Sequence, residues 1–184
     1  MKHVLGAVCV SLLVAAVPLG AQSRSGIELS IGAGAALPSG TLNDANDLGW
    51  QGQLAATYTF VTVPVGLQLD ANYARFGTGT ALDLRNELIY GTMNGIYRFR
   101  LENTVLEPYA IAGGGVYHVD AAGADAVGIH SRTRAGVNGG LGLTYRLSEM
   151  KLFFEGRYHN VFNGLAGNHA ARFVNLTLGL RLGR

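Results

Sequence analysis

The segment Val174-Asn175-Leu176-Thr177-Leu178-Gly179-Leu180-Arg181-Leu182 changes character at every step. Val174, Leu176, Leu178, Leu180 and Leu182 fall on one side of an extended chain, and Asn175, Thr177, Gly179 and Arg181 on the other. A period of two is the geometry of a β-strand, whose successive side chains point to opposite faces. A strand with one wholly apolar and one polar face separates two unlike environments.

Seven more segments upstream follow the same scheme. Ile27, Leu29, Ile31, Ala33, Ala35 and Leu37 oppose Glu28, Ser30, Gly32 and Gly34. Trp50, Leu54, Ala56, Tyr58 and Phe60 oppose Gln51, Gln53, Thr57 and Thr59. Val65, Leu67, Leu69, Ala71 and Tyr73 oppose Gln68, Asp70, Asn72 and Ala74, and Ile89, Met93, Tyr97 and Phe99 oppose Tyr90, Thr92, Asn94, Ile96 and Arg98. In the second half, Tyr109, Ile111, Tyr117 and Val119 are read against Ala110, Ala112 and His118. Val137, Leu141, Leu143 and Tyr145 are read against Asn138, Thr144 and Arg146, and Leu152, Phe154, Tyr158 and Phe162 against Glu155, Arg157 and His159. Each segment approaches the roughly 9–11 residues that a tilted strand needs to cross a bilayer.

The connections alternate in length. Long ones occupy 38–49, 76–86, 120–133 and 163–171, and short ones 61–64, 100–107 and 148–151. Short turns on one side and longer loops on the other define an up-and-down membrane barrel, with both chain ends on the side of the short turns. Parity alone does not say which face is inside. Composition does: charged residues are only 14% of the 184, whereas a soluble barrel carries Lys and Glu along its outer surface. Mean hydropathy is positive at +0.22, yet beyond the N-terminus no apolar run reaches the ~18 residues of a spanning helix. The expected fold is therefore all-β, an eight-stranded antiparallel transmembrane barrel with apolar residues outside and polar residues inside. Outward aromatics are expected in two girdles: Trp50, Tyr73, Tyr117, Tyr158 and Phe162 at the loop side, and Phe60, Tyr97, Phe99, Tyr109 and Tyr145 at the turn side.

Residues 1–23 read as a cleaved secretory signal: basic Lys2 and His3, an apolar core from Val4 to Val17, then Pro18 and Gly20. Residues 24–184 then form the barrel domain. The single cysteine, Cys9, lies inside the signal, so no disulfide or thiol chemistry is expected in the mature chain. The formal charge of +2 is small and dispersed, which excludes a nucleic-acid partner.

Eight strands enclose a space only wide enough for side chains, so a plugged core is expected rather than a pore. Interior charges must be paired. The expected network comprises Glu28, Asp70, Arg98, Arg146, Glu155, Arg157 and Arg181, with two pairs singled out. Glu28 and Arg181 would latch the first strand to the last, and Arg146 would meet Glu155 across a tight turn. His118 and His159 are placed together on the polar face near the loop rim. They lack the close ligand spacing of a metal site, and neither metal nor cofactor is expected. The clusters Gly113-Gly114-Gly115 and Gly139-Gly140-Leu141-Gly142 have no strand-to-helix context for a nucleotide and read as strand glycines. Arg132 and Arg134 stand at the end of the longest loop, where they read either as contacts to lipopolysaccharide phosphates or as a solvated loop end.

The stretches Glu107 to Tyr117 (EPYAIAGGGVY), Gly136 to Tyr145 (GVNGGLGLTY) and the final strand resemble the small outer-membrane β-barrel superfamily of OmpA-type transmembrane domains, OmpX-like and opacity-type proteins. The resemblance covers Gly26 to Arg184. It implies residence in the bacterial outer membrane as a monomer. Expected partners are outer-membrane lipid and lipopolysaccharide, the barrel-assembly machinery and a possible surface ligand at the loops. Last strands of that group usually end in an aromatic residue, where this one ends Leu182-Gly183-Arg184. The role implied is structural or adhesive; the alternatives are a narrow channel, a soluble periplasmic ligand-binding barrel and a lipid-modifying enzyme. Tyr158-His159-Asn160-Val161-Phe162-Asn163-Gly164 also resembles the catalytic stretch of the lipid A deacylases. That family has a serine two residues after its histidine, where this chain has Val161. Without a hydroxyl there is no nucleophile for a Ser–His pair, and no enzymatic activity is expected.

Overall fold

The computed structural model describes residues 26–39, 47–60, 62–77, 85–99, 101–102, 105–122, 132–147, 150–162 and 170–183. The proposed signal (1–23) and most of each long loop lie outside them.

Eight strands run in order: β1 (Gly26–Ser39), β2 (Asp47–Thr59), β3 (Val65–Gly77), β4 (Arg85–Arg98), β5 (Leu106–Ala122), β6 (Arg132–Leu147), β7 (Met150–Val161) and β8 (Ala171–Leu182). Each pairs antiparallel with the next, and β8 returns to β1, so the sheet closes into a barrel. The closing register sets Leu29 opposite Leu182 and Leu37 opposite Val174. Closure leaves no strand edge unpaired, which is what permits a sheet to sit in lipid.

The apolar parity faces outward. Ile31, Leu69, Met93, Leu141 and Leu178 are all more than half exposed, while Gln68, Asn94, Thr144 and Asn175 are buried. On β3 the outward apolar run extends from Val65 to Tyr73, and on β5 from Leu106 to Val116. At about 3.4 Å per residue and a tilt near 40°, these runs are about 21 and 26 Å tall, matching the ~25 Å apolar band of an outer-membrane barrel.

β5 corrects the expected faces. Tyr109, Ile111 and Tyr117 are buried inside, and Val116 and His118 face outward. Tyr109 and Tyr117 therefore belong to the core rather than to the girdles. Trp50 with Tyr73 at the loop side, and Tyr58 with Phe60 and Tyr97 with Phe99 at the turn side, do face outward in ring contact. Tyr109 fits inside because its cross-strand partner is Gly142. A Cβ on Gly142 would fall within the tyrosine ring.

Candidate functional site

The interior is stacked in layers, each assembled from inward positions of several strands. At mid-height, Asp70 of β3 is the hub. Its Oδ1 accepts from Asn72 Nδ2 (2.7 Å) and Thr92 Oγ1 (2.5 Å), and its Oδ2 from Gln68 Nε2 (3.1 Å) and Asn94 Nδ2 (2.8 Å). Arg157 of β7, four strands away in either direction, reaches across the barrel and donates from Nη1 to Asp70 Oδ2 at 2.9 Å. Its Nε and Nη2 donate to Glu155 Oε1 at 3.0 and 2.5 Å. The Tyr109 hydroxyl donates to Glu155 Oε2 at 2.9 Å. Asp70, Glu155 and Arg157 are all buried, so this two-carboxylate, one-guanidinium bridge lies across the lumen itself.

Toward the loops, an aromatic layer fills the cross-section. Tyr90 and Tyr117 stack at 5.0 Å, and His159 lies parallel to Phe173 at 4.6 Å. Phe76 meets Phe173 edge-on. Nδ1 of His159 is 3.0 Å from the Tyr117 hydroxyl. His159 and Val161 are both buried, with their neighbours Tyr158 and Phe162 facing outward. His118 is on the opposite side of the wall, exposed, with its Nδ1 2.9 Å from Thr133 Oγ1. The two histidines thus share no site. Arg134 is the cross-strand partner of the inward Tyr117 and so shares its inner face. That puts it on the lumen side of the wall; the side chain of Arg132 lies outside the described residues.

Toward the turns, the pairing differs from both expected pairs. Arg181 faces Ser30 in the register, and its guanidinium sits over the rings of Tyr109 (5.3 Å) and Phe153 (5.1 Å) with Nη1 3.4 Å from Thr144 Oγ1. Glu28 is held instead by Arg98 of β4 and Lys151 of β7, and Arg98 also donates to Thr59 Oγ1 at 2.7 Å. The latch therefore runs from β1 across the lumen rather than along the β1–β8 seam. Lys151 stands at the turn end of β7, where alternation has only begun, yet it shares the inward parity of Phe153 and Glu155. Arg146 pairs with Glu107 on β5 and its side chain is 54% exposed. It cannot meet Glu155, which faces Gly142 in the register. Four residues of extended strand separate that level from Arg146, about 13 Å.

Glu28 is thus the carboxylate that Arg98 and Lys151 share, whereas Arg146–Glu107 is a solvent-side pair. Glu28→Ala is expected to cost about 2 kcal/mol, the value of a charge-assisted bond lost from a buried site. Arg146→Ala is expected to cost at most about 1 kcal/mol. Urea midpoints of the refolded barrel in detergent, compared at equal slope, check the order.

An apolar-out, polar-in, closed eight-stranded barrel with a packed lumen defines a small integral membrane barrel. The sequence profile of the outer membrane protein beta-barrel domain matches residues 5–181. The chain belongs to that family, and its place is the bacterial outer membrane. No curated protein matches the chain in sequence. Among solved structures, Neisserial surface protein A is similar at a TM-score of 0.63 and 21% identity, covering 85% of this chain and 96% of its own. Ail, the attachment invasion locus protein of Yersinia pestis, is similar at 0.54 and 16%, covering 88% and 100%. The outer membrane enzyme PagL is similar at 0.51 and 13%, covering 84% and 98%. Identities this low establish a common fold, and function has to be argued from the residues.

Proposed function

We propose that this protein is a non-conducting, non-enzymatic outer-membrane barrel that acts through partners bound at its four surface loops. The observation that carries the reading is the Asp70–Arg157–Glu155 bridge across the lumen, beneath a layer of stacked aromatics. A lumen filled in this way leaves the loop side as the surface on which chemistry with the outside can occur. The names of two barrels of this fold, a surface protein and an attachment invasion locus protein, are in keeping with an adhesive role.

The enzymatic alternative has little support in the residues. His159 points inward and is 1% exposed, so an acyl chain running along the outer wall does not meet it. Val161, where the lipid A deacylases carry serine, is also inward and buried.

Two measurements test the proposal. Planar bilayers containing the folded barrel are expected to stay at background conductance; discrete channel steps would overturn the non-conducting reading. Cells displaying the protein are expected to adhere to a heparin-coated surface, since Ail, a barrel of the same fold, has been solved in complex with a heparin analogue. Exchanging 40–46, 78–84, 123–131 and 163–169 for short Gly-Ser linkers should abolish adhesion while the heat-dependent gel shift persists. Equal adhesion by the loop-exchanged barrel, or none by the original, would refute the adhesive role.

A further inference from the structure

The lipid-facing wall carries few charges, and their placement is uneven. Among the residues whose side chains are described, the charged ones on this wall are Arg75, Glu87 and Arg172, all at the loop end. Arg75 and Glu87 are direct cross-strand partners on β3 and β4, which sets opposite charges side by side. Arg172 is exposed on β8 and makes no side-chain hydrogen bond or ion pair with any described residue.

The register places Arg172 in a row. Ser39 of β1 is its partner on one side and Asn160 of β7 on the other. Directly opposed residues share a face with Cβ atoms about 5 Å apart, so a hydroxyl, a guanidinium and a carboxamide span about 10 Å of the outer wall. The next outward row toward the turns is Leu37, Val174 and Tyr158, so the polar row marks the upper edge of the apolar band on this sector. The carboxamide oxygen of Asn160 is buried without a hydrogen-bond partner.

We propose that the Ser39–Arg172–Asn160 row binds a phosphate of lipid A, the acylated, phosphorylated glucosamine disaccharide of the outer leaflet. A cation at the rim of an apolar band needs an anion, and arginine offers a fork of N–H donors matched to phosphate oxygens. Ser39 adds a hydroxyl donor on one flank. On the other, Asn160 keeps its oxygen buried and leaves its Nδ2 as a free donor for a second phosphate oxygen. Val174, Leu37 and Tyr158 lie where the acyl chains descend, and tyrosine suits that interfacial depth. The site depends on the barrel's place in the outer membrane and not on the loop-binding role, so it can stand or fall without it.

The test is lipid retention by the full folded barrel in phosphatidylcholine nanodiscs, read by native mass spectrometry across a titration of lipid A. Unmodified protein should retain lipid A, and Arg172→Gln should weaken retention at least tenfold. Arg172→Lys should recover part of it, Asn160→Ala should weaken it several-fold, and Arg75→Gln should leave it unchanged. Dephosphorylated lipid A should be retained no better by the original than by Arg172→Gln. Each variant must show the heat-dependent gel shift; where Arg172→Gln does not fold, Arg172→Lys and Asn160→Ala carry the comparison. Equal retention by Arg172→Gln, or an equal loss in Arg75→Gln, would overturn the assignment, the latter by showing only diffuse attraction. Displacement of lipid A by millimolar inorganic phosphate would overturn the commitment to a lipid, since it would mark a site for the free anion.

Discussion

Arg157→Met is expected to destabilise the barrel by about 3–5 kcal/mol, the range found when one partner of a buried ion pair is removed. The methionine fills much of the volume, so the loss is electrostatic rather than a cavity. Asp70 would keep its four uncharged donors, Gln68, Asn72, Thr92 and Asn94, and lose its cation. Glu155 would keep only the Tyr109 hydroxyl among the described residues. Two buried carboxylates would then remain with no positive charge between them. The same reasoning gives a second outcome that a merely bulky side chain would not. Replacing all three charges together, as Asp70→Asn, Glu155→Gln and Arg157→Met, should recover most of the loss, because complete removal of a buried charge group is often near neutral. Urea titration of the refolded variants supplies both values. A single variant within about 1 kcal/mol of the original would mean that the bridge contributes little; a triple variant as weak as the single would point to packing rather than charge.

The wall was legible in the sequence because lipid enforces it. Every outward residue across the apolar band must be apolar or small, so the period of two marks the faces of seven of the eight strands. Where both faces are apolar or glycine, the signal fails. On β5 the run Gly113-Gly114-Gly115 carries no side chains to mark a face, and Tyr109 and Tyr117 read equally well as girdle or core. The structure places them inside, where the Tyr109 hydroxyl donates to Glu155 and the Tyr117 hydroxyl is hydrogen-bonded to His159 Nδ1. One clue was available in Gly142, which a cross-strand aromatic on the inner face would need. Interior pairing was the least legible feature. Sequence order identifies neighbouring strands, so it suggested Glu28 with Arg181 and Arg146 with Glu155. The lumen is narrow enough that long side chains cross it, and the pairs that form join β3 to β7 and β1 to β4 and β7. The composition of the inner face was readable from parity, but the diametric geometry of the barrel was not.

The wall itself supplies the second large prediction. Leu69 is 56% exposed at the middle of β3, and on a soluble protein a charge there would be nearly neutral. Here Leu69→Arg is expected to destabilise the folded barrel by about 2–4 kcal/mol in a bilayer, the cost of arginine near the midplane of a barrel's lipid face. Leu69 faces Ala56 on β2 and Met93 on β4, so the guanidinium would find no carboxylate beside it. It would have to reach the interface along its own aliphatic stem. Moving the same substitution up the strand sharpens the test. Tyr73→Arg, at the girdle beside Trp50, should lose about 0–1 kcal/mol from charge depth plus the loss of its ring contact, and Glu87 lies diagonally across the adjoining strand to receive it. The depth dependence distinguishes lipid from water, because an aqueous outer face would give two similar and small effects. Unfolding in phospholipid vesicles by guanidinium, followed through Trp50 fluorescence for Leu69→Arg and through the gel shift for both variants, measures the difference. A midplane arginine tolerated as well as one at the girdle would mean that this face does not lie in hydrocarbon, and the inside-out assignment of the barrel would fall with it.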